Sequence, residues 1–223
     1  MSDAFDSGGS LAATWLLDFD GVLNAVVRRG SRPDRSVWPD WTAITIEDSH
    51  GTRYPVTYSP TVVRFISRVS EAGVNVVWVS DWQADAERFC EAIPELPTLP
   101  WVAGELPLDG ESPPPPTKSP GGLKSIMTSG VSLSREPEAW WKAVVVPRYV
   151  ESLDGQGSPF VRPLIWTDDE LSQHAGRGAR AWVNARANSL VVDTQPHLGL
   201  TPRGLRTIRD FLMATAAISI PGD

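Results

Sequence analysis

Three short apolar runs that end in acids or a hydroxyl constrain this chain more than any other feature. They are AATWLLD (12–18), VNVVWVS (74–80) and VRPLIWT (161–167), the last followed by Asp168-Asp169. Such runs lack polar alternation and so have no wet face. They read as strands covered on both sides, as in a parallel sheet between helices. A fourth run, SLVVDT (189–194), fits the same description.

The segments between them carry helix and turn signals. Residues 41–58 alternate on both sides of Ser49-His50-Gly51, which predicts a β-hairpin. Ser59 as N-cap and Pro60 in the first turn predict a helix to Glu71, with Val62, Val63, Phe65, Ile66 and Val69 on its apolar face and Ala72-Gly73 as its stop. Helices are also expected over Asp85–Ile93, over Trp140–Ser152 with a bend or break at Pro147, from near Glu170, and from Pro202 to Ala217 behind a Thr201 N-cap. Residues 94–122, rich in proline and glycine, read as an extended loop.

Strands alternating with helices predict an α/β fold: a Rossmann-like parallel sheet flanked by helices, with right-handed crossovers, a small β-hairpin flap and no large cap domain. The length of 223 residues suits one such domain over 11–223 behind a flexible tail at 1–10. In these sheets ligands bind beyond the C-terminal strand ends. The runs place Asp18 and Asp20, Ser80 and Asp81, and Asp168 and Asp169 there.

Two carboxylates crowded at one strand end repel unless a cation lies between them or one holds a proton. Both solutions suit phosphoryl transfer. Hard oxygen ligands such as Asp18, Asp20, Asp168 and Asp169 favour Mg²⁺. A second carboxyl can give a proton to a leaving group and later take one from water. Gly21 permits a tight turn and close backbone approach. Ser80 and the neighbouring Asp81 are candidate substrate contacts, and Lys142 could offset the carboxylate and phosphoryl charge. Asp168 and Asp169 could also serve as helix caps, and either could be the metal ligand. Lys118 and Lys124 are rivals to Lys142, which stands just before the strand that carries Asp168.

Charge and composition narrow the partners. A net charge of −7 argues against a broad basic surface for duplex DNA. Arg28, Arg29, Arg32 and Arg35 still form a local basic cluster just after Asp20, either a solvated loop or a contact for substrate phosphate. His50, His174 and His197 make no zinc spacing with Cys90. That lone cysteine reads as a small packing residue, and it fits a reducing, cytoplasmic setting. The ten tryptophans read mainly as packing residues. No apolar run is long enough to span a bilayer, and the first ten residues lack the basic region of a signal peptide.

Taken in order, LLDFDGVLN (16–24), VVWVS (76–80), Lys142 and LIWTDD (164–169) resemble the four motifs of the haloacid dehalogenase (HAD) superfamily. With HLGLTP (197–202), they are similar to a bacterial subgroup whose HAD domains also occur in RNA-repair proteins. The resemblance implies a Rossmann-like domain, Mg²⁺, an aspartyl-phosphate on Asp18, Asp20 as acid and base with its backbone carbonyl toward the metal, and Ser80 and Lys142 around the phosphate. The expected activity is a phosphomonoesterase, with a nucleotide or nucleic-acid end as the substrate class. The alternatives are a binding module for a phosphorylated partner and a phosphotransferase. The hairpin at 41–58 is expected to select substrate.

Overall fold

The four apolar runs lie side by side as parallel strands in the computed structural model, which describes residues 12–28, 30–104, 140–154, 161–172 and 176–220. The expected tail at 1–10, Arg29, Lys118, Lys124, His174 and the proline-rich stretch beyond 104 lie outside the described residues. In chain order the elements are β1 (Thr14–Leu17), β2 (Thr42–Glu47), β3 (Arg53–Tyr58), α1 (Pro60–Glu71), β4 (Asn75–Trp78), α2 (Ala86–Ala92), α3 (Trp141–Asp154), β5 (Leu164–Asp168), α4 (Gly176–Ala185), β6 (Ser189–Asp193) and α5 (Pro202–Ala216). The sheet order is β4-β1-β5-β6, all parallel, with β2 and β3 as a separate antiparallel hairpin. This is the α/β, Rossmann-like architecture expected from the alternating runs.

The missing polar alternation has a direct structural outcome. On β1, Trp15 and Leu17 face a core shared with α1, α2 and α5, while Leu16 faces one shared with α3 and α4. Neighbouring strands divide the same way: Val76, Trp78 and Ile165 go to the first core, and Val77, Leu164 and Trp166 to the second. The sheet is therefore covered on both faces. Each fully buried large apolar side chain contributes about 1.5–3 kcal/mol. Leu16→Asp would bury an unpaired carboxylate between Val77 and Trp166, its register partners.

Local chemistry sets the helix ends, with some departures from expectation. Thr201 caps α5, accepting a bond from Gly204 N–H at 3.2 Å. Ser59 stands at the N-cap of α1 but does not cap it. Its hydroxyl instead donates to Asp40, whose other oxygen accepts from Thr61 N–H at 2.9 Å, so Asp40 supplies the cap from a distant loop. Of the bend or break expected at Pro147, the break does not occur: α3 continues through it. No helix begins at Glu170, which lies in a bend; α4 starts at Gly176.

The hairpin is docked, not free. Ile46, Val56 and Tyr58 join the first core. At its tip Ser49 donates from both backbone N–H and hydroxyl to Asp85, each at 3.0 Å. The start of the proline-rich stretch covers the β4 edge, where Trp101 bridges to Trp78 and Leu99 and Val102 are buried. Among the described residues no helix is long and apolar enough to cross a membrane.

Candidate active site

Because β1 lies between β4 and β5, its C-terminal end is flanked by two other strand ends. Asp18 follows β1 directly, Asp168 closes β5, and Ser80 lies two residues past β4, all three buried. The Asp18 N–H donates to the Thr167 carbonyl at 3.1 Å, which continues the ladder and fixes the backbone. Phe19 N–H then donates to Asp18 Oδ1 at 2.7 Å.

Lys142 enters from the first turn of α3 and is itself buried. Its Nζ donates to Asp18 Oδ2 at 2.7 Å and to Asp168 Oδ2 at 2.9 Å. The other Asp168 oxygen accepts from Glu170 N–H at 2.8 Å, an Asx turn where a helix cap was one expectation. The Nζ also lies 5.5 Å from the Trp140 ring centroid and 6.0 Å from that of Trp141, so aromatic faces share the charge.

Asp169 completes the acidic group: Asp18, Asp168 and Asp169 each offer an oxygen within 4.8 Å of the others. Its carboxyl occupies the space over Gly21. A Cβ built at Gly21 would lie 2.3 Å from Asp169 Cγ, and Gly21 has φ +71°. Thr194, just past β6, donates to the Gly21 carbonyl at 2.7 Å and pins this turn from the other side.

The charges are strongly interdependent. Burial pushes the Asp18 and Asp168 carboxyls up, and the Lys142 ammonium opposes this. Burial alone would lower Lys142, but Asp18 and Asp168 outweigh it and raise it, so the ammonium stays charged. Asp169 is pushed up to about 6 by burial, with Asp168 and Glu170 adding to it. Three carboxylates beside one ammonium leave two negative charges uncompensated when all are ionised. A divalent cation with oxygen preference fits that deficit.

Not every expected residue joins this group. The Asp20 carboxyl stands apart, accepting from Asn24 Nδ2 at 2.6 Å and from Trp82 Nε1 at 2.8 Å. Asp81 is exposed and receives the Trp141 indole N–H at 2.5 Å. Arg28, Arg32 and Arg35 are exposed on their loop, as are His50 and His197. Cys90 is half-buried and packs against the first core. Two surface hollows, one along Arg64, Arg68 and Glu71, the other along Asp193, Thr201 and Arg203, include none of the clustered acids.

Sequence reasoning missed Asn24, Trp82, Trp140 and Trp141. Their spacing was the available signal: Asn24 lies one helical-type turn past Asp20, Trp82 two residues past Ser80, and the Trp pair immediately before Lys142. No protein-family model matches the chain, and comparisons with curated proteins and with solved structures also found no match.

Proposed function

We propose that this chain is a Mg²⁺-dependent phosphomonoesterase of the HAD type, with Asp18 as nucleophile. The observation that carries this reading is the Lys142 bridge between Asp18 and Asp168, with Asp169 beside them. A buried ammonium that bonds two carboxylates at adjacent strand ends orients one oxygen of each and would offset the charge of a phosphoryl group taken up by Asp18. Asp18, Asp168 and Asp169 would hold Mg²⁺, which would supply neutralisation of the incoming phosphate.

In this reading an Asp18 oxygen attacks phosphorus, the phosphorus–oxygen bond to the leaving group breaks, and Asp20 gives its proton to the departing oxygen. Asp20 then takes a proton from water as that water attacks the acyl phosphate. Inorganic phosphate leaves and the Asp18 carboxylate is restored. Lys142 keeps Asp18 in place through both halves and offsets the added charge. Ser80 and Asp81 are the candidate contacts for phosphate and substrate. A nucleotide or nucleic-acid end is our favoured substrate class, supported by the motif resemblance and by the small size of the hairpin. A cytoplasmic setting is supported by the single unpaired Cys90.

One observation favours a second reading, a module that binds a phosphorylated partner without turnover: both Asp20 oxygens are already engaged. A phosphatase screen separates the two. Nucleotides, sugar phosphates and 5′- or 3′-phosphorylated oligonucleotides are incubated with protein and Mg²⁺. Mg²⁺-dependent phosphate release that vanishes with chelator and in Asp18→Asn is expected. Full turnover in either control overturns the mechanism, and binding without release favours the module.

A further inference from the structure

The Asp20 carboxyl is held by two side chains that the reaction itself does not use. Trp82 Nε1 donates to Oδ2 at 2.8 Å and Asn24 Nδ2 to Oδ1 at 2.6 Å. The orientation of the Asn24 amide is set independently. Thr57 N–H, on β3, lies 2.8 Å from Asn24 Oδ1, and a backbone N–H can only donate. The oxygen must therefore face the hairpin, and the amide N–H₂ must face Asp20. Ala25 N–H returns a bond to the Thr57 carbonyl at 2.7 Å, which closes the link between the Asp20 turn and the hairpin.

Trp82 is fixed just as firmly. Its ring meets Phe19, Phe89 and Tyr54 edge-on, at centroid distances of 6.3, 5.0 and 4.7 Å. Tyr54 belongs to β3, so the hairpin reaches Asp20 by a second route. The tip bond from Ser49 to Asp85 holds the same hairpin against the turn that follows Trp82.

We propose that Asn24 and Trp82 are positioning residues for Asp20, and that the docked hairpin fixes both. This deepens the phosphatase reading and rests on it. A short acidic side chain with two free torsions would otherwise swing toward the cation site, where it adds a ligand and loses its proton-transfer geometry. Held by one donor on each oxygen, it stays outside the cluster formed by Asp18, Asp168 and Asp169. The hairpin then acts on proton transfer to the leaving oxygen, in addition to any role in choosing the substrate.

The test uses Trp82→Phe, which keeps an aromatic ring but loses the N–H, and Asn24→Asp, which keeps the acceptor toward Thr57 but loses the donor. Each is assayed with Mg²⁺ on p-nitrophenyl phosphate, whose leaving group needs no proton, and on an alkyl phosphate, whose leaving group does. We expect kcat on the alkyl ester to fall ~10-fold or more and on the nitrophenyl ester only slightly, with KM little changed. Added to Asp20→Asn, Trp82→Phe should cost nothing further, because a residue acting through Asp20 has nothing left to position. Equal losses on both esters, or additive losses in the double variant, overturn the proposal. Wild-type protein that releases phosphate from neither ester overturns the phosphatase reading instead. The tie itself is then read by NMR, where Asp20→Ala must shift the Trp82 indole N–H resonance in folded protein; an unmoved resonance refutes it.

Discussion

Asp169 fills the volume that a side chain at Gly21 would take: a methyl there would stand 2.3 Å from Asp169 Cγ and 2.4 Å from Oδ2. The turn after the proposed nucleophile and the acid after β5 are thus complementary in shape. Gly21→Ala must both adopt φ near +71° and push Asp169 away. We expect it to lose about 1–3 kcal/mol of stability and to weaken Mg²⁺ binding. Urea unfolding and a calorimetric Mg²⁺ titration check this; a variant with unchanged metal affinity would show that Asp169 is no ligand.

Lys142→Met should be among the most destabilising single changes. It leaves Asp18 and Asp168 buried without their shared cation. Breaking such a buried pair costs about 3–5 kcal/mol. Mg²⁺ should restore part of the loss, since it supplies positive charge to the same carboxylates. Denaturant unfolding with and without Mg²⁺ measures both. A loss below about 1 kcal/mol would fall in the range of surface ion pairs and would count against the bridge.

Metal-free stability should fall as pH rises from the ordinary aspartate range through about 6, the value to which burial pushes Asp169. A folded-state value above the unfolded one means that the folded form holds the proton more tightly. Its contribution is therefore fully present at low pH and lost above about 6. Mg²⁺ prefers the ionised acid, so its affinity should rise over the same interval. Melting temperatures of wild type and Asp169→Asn, read across pH with and without Mg²⁺, test this. An identical pH slope in the two metal-free proteins would reject it.

Asp40→Ala should destabilise without touching the site. Burial would raise the Asp40 carboxyl, but bonds from Ser59 and Thr61 outweigh it and hold it below the ordinary value. Its contribution is therefore present at neutral pH and lost as pH falls through that lowered value. Losing this cap should cost about 1 kcal/mol, with the Mg²⁺ affinity of the protein unchanged. A changed affinity would mean that α1 and the acidic cluster are coupled.

The parallel sheet was legible because its strands are apolar on both faces, so runs such as VNVVWVS admit few other readings. Strand ends then carried Asp18, Ser80 and Asp168 to one edge. The start of α4 was expected too early, near Glu170, because Gly176 and Gly178 dilute the front of a helical pattern carried by Ala179, Trp182 and Val183. Ser59 was misassigned as a cap because the competing acceptor, Asp40, lies nineteen residues away in sequence. The same limit hid Asn24 and Trp82. Their role depends on a hairpin and a turn meeting in space, and residue spacing carries no record of that meeting.

The central place of β1 in the sheet also orders events during synthesis. Asp18 leaves the ribosome well before its flanking partner strand β5 and its neighbour Asp168. Until residue 168 has emerged, the first strand has one open edge and its terminal acid lacks half of its setting. A nascent chain that halts earlier holds an exposed apolar strand without the acidic cluster. Assembly of the charged centre therefore waits on β5, and closure of the two cores on the elements that follow it.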